Sequence, residues 1–142
     1  SELGVELRIA EATWVEGSLI SPLDTITVVG NLLDNAIRAA AGGRRRPAWV
    51  DVSLLGDGDD LVVHVIDSGD GVPPGREVEV FAGGWTTKGR DREAHGLGLA
   101  LARTTARHHG GEVELLAGRG DDHGATFGAR LRGALRQVAV RG

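Results

Sequence analysis

The first third of the chain passes from a strand pattern to a helix pattern. Residues Val5–Val15 alternate loosely between apolar and polar positions, which predicts a strand. Ser21, followed by a proline, then starts a helix, and Asp24 stands where a capping-box acid belongs. Helical spacing continues to about Ala41, where a pair of glycines ends it. The positions predicted to form the buried face of this helix are Ile26, Val29, Leu33, Ile37 and Ala40.

Two strand pairs are predicted further along the chain. Ala48–Leu55 and Leu61–Ile66 form a hairpin with a loop longer than two residues. Because Leu61–Ile66 is apolar at nearly every position, we expect it to be central in the sheet and buried on both faces. Glu112–Leu116 and Ala125–Leu131 form the final hairpin.

The region between the hairpins mixes irregular and helical segments. Residues 67–75 are too rich in glycine and proline for regular structure, and Val78–Phe81 predicts a short helix. Residues 82–95 are polar and long enough to form a mobile lid. A second long helix is predicted from about Leu97 to His109.

The order of these elements predicts an α/β fold with a mixed sheet and helices on one face. We expect one domain over residues 1–131, with its lid at 82–95, followed by a tail over 132–142. Two possibilities stay open for the tail: Leu135 and Val138 dock weakly, or the whole tail is disordered.

Composition narrows the classes of function. The chain has 142 residues, 41% of them hydrophobic and 25% charged, which suits a folded soluble domain. A net charge of −4 argues against a surface that tracks nucleic-acid phosphates, and the one basic cluster, Arg44–Arg46, is interpreted as a solvated loop. The lack of cysteine excludes disulfides and thiolate metal sites. No segment resembles a signal peptide or a membrane span, so we expect no membrane contact by this domain.

Two asparagines on the first long helix are candidate ligands. Asn31 and Asn35 share a helix face, and Arg38 follows three residues later. Asparagine is a poor helix former, so two of them inside a helix need a reason. One interpretation is a polar border beside the apolar face. The other is a neutral oxygen ligand for a hard cation such as Mg²⁺, which also binds substrate phosphates.

Asp67 directly follows the strand predicted to be buried. A carboxylate there needs hydrogen-bond donors. It either caps the following turn through its side chain or accepts a hydrogen bond from an exocyclic amine such as that of adenine. Gly69 and Gly71 would then let the backbone approach a flat ring closely.

A glycine-rich segment is predicted to open the second helix. Gly96-Leu97-Gly98-Leu99 would place free backbone N–H groups at a helix N-terminus, where phosphate binds. The preceding lid adds Thr86, Thr87, Lys88 and Arg90, which are all able to reach phosphate oxygens. The segment is neither a Walker loop nor a dinucleotide fingerprint.

The order and spacing of these motifs resemble the gyrase–Hsp90–histidine kinase–MutL ATPase superfamily. Asn31-Leu-Leu-Asp-Asn35-Ala resembles its N box, and Asp67-Ser-Gly-Asp-Gly71-Val resembles its G1 box. Phe81 stands at the F box of the kinases, and Gly96-Leu-Gly98-Leu resembles the G2 box. Gly124-Ala-Thr126-Phe resembles the closing strand. Sensor histidine kinases fit best, and Gly84–Gly89 with His108–Val113 resembles the citrate/C4-dicarboxylate-sensing type.

The resemblance implies a Bergerat-type two-layer α/β sandwich with a mixed, mainly antiparallel sheet, helices on one face and an ATP lid. It implies ATP and Mg²⁺ as cofactors, with Asn35 as the metal ligand and Asn31 and Arg38 near the phosphates. Gyrase-like members carry a water-activating Glu at the position of Asn31, so the resemblance implies phosphoryl transfer, not efficient hydrolysis. The residues that it implies for nucleotide binding are Asp67, Gly69, Gly71, Val72, Thr86, Thr87, Lys88, His95, Gly96, Leu97, Gly98, Leu99 and Thr126.

The resemblance also implies partners that lie outside the chain. None of the five histidines lies in a helical hairpin of the phosphoacceptor kind. The γ-phosphate of ATP would therefore pass to a histidine on a separate dimerisation hairpin, and from there to a response regulator. The resemblance places such a domain on the cytoplasmic side of a membrane-anchored sensor. Two alternatives remain: a regulatory ATP-binding switch of the anti-sigma-factor kind, and a gyrase-type ATPase.

Overall fold

The computed structural model describes residues 4–10, 15, 17–82 and 92–137, and for residues 92–96 it describes the backbone alone. The two long helices are α1 (Pro22–Gly42) and α2 (Arg92–His108), with a 3-10 helix at Glu77–Phe81. The strands are β1 (Val5–Ile9), β2 (Ser18–Leu19), β3 (Ala48–Asp57), β4 (Asp60–Asp67), β5 (Glu112–Ala117), β6 (Thr126–Leu131) and β7 (Leu135–Arg136).

Five strands form one mixed sheet in the order β1-β3-β4-β6-β5. Strands β1 and β3 are parallel, and the other three neighbouring pairs are antiparallel. The short strands β2 and β7 pair separately with each other. The predicted α/β fold, with its mixed and mainly antiparallel sheet, is confirmed.

Strand alternation puts the core on one face of this sheet. Successive side chains of a strand point to opposite faces, and one of the two sets is buried here on every strand from β3 to β6. Both long helices pack against that face, α1 on β3 and β4 and α2 on β5 and β6. The prediction that β4 is buried on both faces is wrong, because His64 in its centre is exposed on the side without helices.

Helix α1 spans the predicted range but turns a different stripe toward the core. Its buried residues are Thr25, Val28, Leu32, Ala36 and Ala40. Of the predicted stripe, Val29, Leu33 and Ile37 lie partly buried at its border, and Ile26 is 64% exposed. The capping prediction is also wrong: Ser21 makes no side-chain cap bond, and Asp24 instead lies 2.9 Å from the His109 ring, where it ties α1 to the end of α2.

Three boundaries differ from the sequence-based prediction. The β3–β4 loop has two residues, Gly58 and Asp59, because Gly58 adopts φ +60° and so closes the tight turn. Strand β1 ends at Ile9, and residues 11–14 of its predicted extension lie outside the described segments. Helix α2 begins at Arg92, five residues before Leu97. Residues 92–95 favour helix, and Gly96 and Gly98 weaken the helix without stopping it.

The other predicted elements are confirmed. Val78–Phe81 lies within the 3-10 helix, and β5 pairs with β6. In the segment after Arg132, Leu135 pairs through β7 with Leu19 and is 1% exposed, so this residue docks firmly. Val138 and lid residues 83–91 lie outside the described residues. Among the helices of the described segments, none combines the length and apolar character needed to cross a bilayer.

Candidate functional site

Asp67 ends β4 on the face that the helices cover. It pairs with Val50 of β3, whose side chain is fully buried, so the carboxylate lies between the sheet and the helices. Asp67 is 1% exposed. Burial raises its pKa to about 6, while backbone N–H groups of Gly69 and Ala125 and the nearby charges of His123 and Arg45 act in the opposite direction.

The two carboxylate oxygens of Asp67 have different environments. Oδ1 accepts hydrogen bonds from the Gly69 N–H at 2.9 Å and the Ala125 N–H at 3.3 Å. The turn-capping interpretation is therefore correct for this oxygen. Within the described residues, no group donates to Oδ2. One acceptor of a buried carboxylate is thus left for a ligand.

Glycines surround Asp67 because backbone passes too close for a side chain. A Cβ at Gly69 would lie 2.7 Å from the carbonyl oxygen of Ala39 on α1. A Cβ at Gly124 would collide with Oδ1 of Asp67. Gly71 has φ +86°, and a Cβ there would lie 2.6 Å from the Gly118 carbonyl oxygen. The structure therefore brings Gly69 of the predicted G1 box and Gly124 of the closing-strand segment together at the Asp67 carboxylate, whereas Gly71 packs against the segment at Gly118.

One face of α1 connects this carboxylate to α2. Asn31, Asn35 and Ala39 are spaced four residues apart and so share that face. At one end, the Asn31 Oδ1 lies 2.9 Å from the position that a Cβ on Gly98 of α2 would occupy. At the other end, Ala39 meets Gly69. The two contacts are eight residues apart, about 12 Å along the helix axis.

The polar side chains on α1 differ in how they are bound. Asn31 donates through Nδ2 to the Thr27 carbonyl oxygen at 2.7 Å, which leaves its Oδ1 toward α2. Asn35 is half-buried, and no described residue forms a hydrogen bond with its side chain. Arg38 is exposed and pairs with Asp34 at 3.2 Å. The predicted trio therefore consists of one bound amide, one amide available to a ligand and one surface ion pair.

Helix α2 carries the predicted G2 box differently from what the sequence suggested. Since the helix already begins at Arg92, the Gly96–Leu99 segment lies within it and does not open it. Leu97 is 57% exposed, whereas Leu99 is buried in the core. The backbone of His95 lies in α2, but its side chain is outside the described atoms. Thr86, Thr87 and Lys88 lie wholly outside the described residues.

Val72 and the segment around Thr126 complete the surroundings of Asp67. Val72 is buried, and its N–H donates to the Gly118 carbonyl oxygen at 2.8 Å. Thr126 is half-buried and pairs with Ile66, the residue before Asp67. The direct contact from this segment to the carboxylate is made by the Ala125 N–H.

Phe81, the last residue before the predicted lid, packs against the core. Its ring packs edge-on against Phe127 with centroids 5.9 Å apart. The Arg103 guanidinium of α2 lies over the same ring at 4.0 Å and donates to Glu112 at 3.1 Å. Burial acts to raise the pKa of Glu112, but hydrogen bonds from Arg103, the Val113 N–H and Arg107 hold it below its usual value.

Sequence reasoning missed the arginines between α1 and β3. The interpretation of Arg44–Arg46 as a solvated loop is right for Arg44, whose side chain is 92% exposed, and for Arg46, which is also exposed, but wrong for the half-buried Arg45. Arg46 donates to the Ala41 and Gly43 carbonyl oxygens and so caps the end of α1. Arg45 donates to backbone carbonyls beside Asp67. The only signal in the sequence was their position after the helix-ending glycines.

A separate groove of about 400 Å³ lies on the helix-free face of the sheet. Its lining includes His64, Glu114 and Arg130. It contains none of the residues predicted to bind nucleotide, and the buried carboxylate of Asp67 lies on the opposite face. The candidate nucleotide site therefore lies between the helices and the sheet.

Known proteins resemble this chain in both sequence and fold. Residues 21–134 match the family described as histidine kinase-, DNA gyrase B-, and HSP90-like ATPase. The sensor histidine kinase DpiB of Escherichia coli (strain K12) is 34% identical over 121 residues, covering 80% of this chain and 21% of DpiB. The sensor protein CitS of Bacillus subtilis (strain 168) is 36% identical over 107 residues, covering 70% of this chain and 19% of CitS. The crystal structure of full-length ShkA in complex with AMPPNP superposes with a TM-score of 0.74 at 22% identity, covering 99% of this chain and 28% of ShkA.

The chain belongs to the histidine kinase-, DNA gyrase B- and HSP90-like ATPase family. Within it, the chain is an ATP-binding catalytic domain of the sensor histidine kinase class, so the resemblance derived from the N, G1, F and G2 boxes is confirmed. The chain spans about a fifth of the length of the curated relatives it matches.

Proposed function

We propose that this domain supplies the nucleotide site of a two-component sensor kinase. It binds Mg·ATP between the sheet and the long helices and transfers the γ-phosphoryl group to a histidine of a separate dimerisation hairpin. In that step the bond between the γ-phosphorus and the bridging oxygen breaks, a phosphorus–nitrogen bond to the imidazole forms, and ADP leaves. A response regulator then accepts the phosphoryl group.

The proposal rests on one observation: the face of α1 that carries Asn31, Asn35 and Ala39 has chemically different groups at its two ends. At one end, Asp67, which is 1% exposed as a residue, offers the oxygen Oδ2, to which no described residue donates, to the exocyclic amine of adenine. An ionised carboxylate only accepts hydrogen bonds, so it favours adenine over a base with a carbonyl at that position. At the other end, Asn31 meets Gly98. A nucleotide bound along this helix face has its base at Asp67 and its phosphates near the asparagines.

Asn35 is the proposed Mg²⁺ ligand. Its half-buried amide has no hydrogen-bond partner among the described residues, and a neutral oxygen is a suitable ligand for a hard cation. The ion, when bound, would neutralise charge on the phosphates. Asn31 stabilises the adjoining end of the site through its contact with α2. An amide takes no proton from water, so this position supplies no general base for hydrolysis.

The remaining proposed ligands act on the phosphates. Arg38 would leave its exposed pairing with Asp34 to reach them, at little energetic cost since such surface pairs contribute little. Thr86, Thr87 and Lys88 of the predicted lid would close over them, with His95 and the Gly96–Leu99 segment of α2 beside them. We propose residues 1–131 as the domain, with a lid over 82–95 whose last four residues belong to α2, and 132–142 as a tail that docks through Leu135.

Nucleotide titration of the wild-type domain, Asn35→Ala and Asp67→Ala tests the site. We expect wild type to bind Mg·ATP and both variants to bind it weakly. Asp122→Asn is the control and should bind like wild type. It removes one negative charge, as Asp67→Ala does, but from an exposed residue of the β5–β6 loop. Wild-type affinity in both site variants would contradict the assignment.

Phosphoryl transfer needs a second assay. A dimerisation hairpin supplied in trans should become labelled at histidine by γ-labelled ATP. Nucleotide binding without phosphohistidine would favour a regulatory ATP-binding switch. Rapid ATP turnover by the domain alone would favour a gyrase-type ATPase.

A further inference from the structure

Arg45 joins three separate segments around Asp67. It lies in the loop between α1 and β3, and its Nη1 donates to the Gly69 carbonyl oxygen at 2.9 Å and to that of Ser68 at 3.4 Å. Its Nη2 donates to the Asp121 carbonyl oxygen at 3.3 Å. The first two carbonyls belong to the loop that follows β4, and the third belongs to the loop between β5 and β6. The half-buried guanidinium therefore bridges both loops that enclose the carboxylate.

The geometry needs a forked donor. A guanidinium presents five N–H groups in one plane, so two nitrogens bind carbonyls on different loops at once. A lysine ammonium has a single nitrogen and carries the same charge without this reach. The bonds are charge-assisted, which makes them stronger than bonds between neutral groups.

The loop on the far side of Asp67 has its own internal bonds. The Gly120 N–H donates to the His123 carbonyl oxygen at 3.0 Å, and the His123 Nδ1 lies 2.8 Å from the Gly124 carbonyl oxygen. These contacts shape the loop locally. Backbone bonds tie its two ends to β4 and the segment after it, from the Val72 N–H to the Gly118 carbonyl oxygen and from the Gly124 N–H to the Asp67 carbonyl oxygen. The bridge from Arg45 to Asp121 adds a side-chain tie at the middle of the loop.

We propose that Arg45 is a positioning residue for adenine recognition, which holds the Ser68–Gly69 carbonyls and the β5–β6 loop together so that Asp67 presents its Oδ2 to the base. This inference rests on the proposed function, since it concerns the same nucleotide site. Arg45 itself touches neither the base nor the phosphates in this proposal. It acts through the loop that carries Gly69, whose N–H binds Asp67.

The charge of Arg45 adds an electrostatic consequence. The groups that act on Asp67 are the N–H groups of Gly69 and Ala125 and the side chains of His123 and Arg45, and all four favour its ionised form against burial. Removing the guanidinium raises the pKa of Asp67. As the pH is lowered, nucleotide binding should therefore be lost at a higher pH than in wild type. Lysine retains this charge and loses the bridge, so the two substitutions separate the two effects.

The test compares Arg45→Ala and Arg45→Lys with Arg44→Ala. Arg44→Ala is a matched control. It removes the same positive charge at the neighbouring residue, whose side chain is 92% exposed. Affinities for Mg·ATP and Mg·GTP are measured by titration calorimetry from about pH 5 to about pH 8, with circular dichroism as the check on folding. We expect Arg45→Ala to weaken Mg·ATP binding roughly tenfold near neutral pH, as for loss of a charged hydrogen bond.

Selectivity and pH distinguish positioning from general destabilisation. Arg45→Ala should lower the preference for ATP over GTP. It should also shift the acid limb of ATP binding, which is the loss of affinity as the pH is lowered, to higher pH. Arg45→Lys should keep the wild-type acid limb but bind ATP at least about threefold more weakly. Wild-type selectivity and acid limb in folded Arg45→Ala would overturn the proposal. If that variant does not fold, wild-type affinity and selectivity in Arg45→Lys would overturn it. Failure of the wild-type domain to bind Mg·ATP would instead refute the proposed function.

Discussion

Replacing Asp67 by asparagine should make the ligand-free domain more stable while it removes adenine recognition. Asparagine keeps an oxygen for the N–H groups of Gly69 and Ala125. Its amide nitrogen replaces Oδ2, so the acceptor for the adenine amine is lost. The buried negative charge is lost as well, and burial of that charge is the largest influence on this carboxyl.

The magnitude follows from the pKa. A rise from 3.8 to about 6 corresponds to roughly 3 kcal/mol of unfolding free energy, since each tenfold change in ionisation is worth about 1.4 kcal/mol. Between these two pH values the native state holds a proton that the unfolded chain releases. The free energy of unfolding of wild type therefore falls as pH rises from about 4 to about 6 and stays lower above that range. An amide N–H without a partner costs about 1 kcal/mol, which leaves a net gain of about 2 kcal/mol for the variant.

Urea denaturation at about pH 7.5 and about pH 4 measures this difference. At the higher pH, Asp67→Asn should be more stable than wild type by about 2 kcal/mol. At the lower pH the wild-type carboxyl is protonated, so the variant should be slightly less stable, by about 1 kcal/mol. Asp122→Asn, an exposed change of the same charge, should show no such reversal. Equal stability of Asp67→Asn and wild type at both pH values would refute the reasoning.

Three further predictions concern binding and packing. Mg·ATP affinity should fall as pH drops below about 6, where Asp67 takes up a proton, and titration calorimetry across that range measures it. Gly98→Ala should weaken nucleotide binding, because its Cβ would lie 2.9 Å from Asn31 Oδ1. In Gly30→Ala the new Cβ meets nothing within 4 Å, so this variant should stabilise α1 by about 1 kcal/mol in thermal or urea unfolding. Arg103→Ala should cost about 2 kcal/mol in urea unfolding, because it removes a cation–π contact and a charged hydrogen bond.

Each of these has its own control. Phosphates of the nucleotide also titrate near pH 6, so Asp67→Asn, which lacks the carboxyl, gives the background slope. An equal slope in wild type would argue against ionised Asp67 as the acceptor. Equal ATP affinity in Gly98→Ala and Gly30→Ala would argue against a close approach of the two helices at the site. Arg76→Ala removes an exposed ion pair with Glu79, and a loss as large as that of Arg103→Ala would contradict the role of the half-buried Phe81 ring.

Local pattern predicted which elements form but not how they face one another. Helix α1 carries two interlaced apolar stripes, one through Val29 and Leu33 and another through Val28 and Leu32. Both have helical period, so periodicity alone cannot choose between them. The second stripe also contains Thr25, Ala36 and Ala40. These small side chains let the helix approach its neighbours closely, and packing makes the choice.

Boundaries depended on how strongly single residues interrupt an element. A glycine inside a helix costs about 1 kcal/mol relative to alanine, which the surrounding packing of α2 readily offsets. The sequence predicts that Gly96 and Gly98 open the helix. Because packing offsets their cost, the helix begins earlier, at Arg92. Gly58 had the opposite effect, since its positive φ closed a shorter turn than the sequence suggested.

The sequence by itself determined the five strands of the main sheet, the two long helices and the motifs that assign the chain to its family, because these depend on residues close together along the chain. It did not predict the short strands β2 and β7, which pair with each other from opposite ends of the chain. The separate jobs of the two Asp67 oxygens and the bridge from Arg45 were decided only by tertiary structure. Both depend on backbone groups brought together from distant positions: Ala125 and Asp121 lie more than fifty residues from their partners. Backbone N–H and C=O groups are the same at every residue, so the sequence carries no mark of which of them will meet a given side chain.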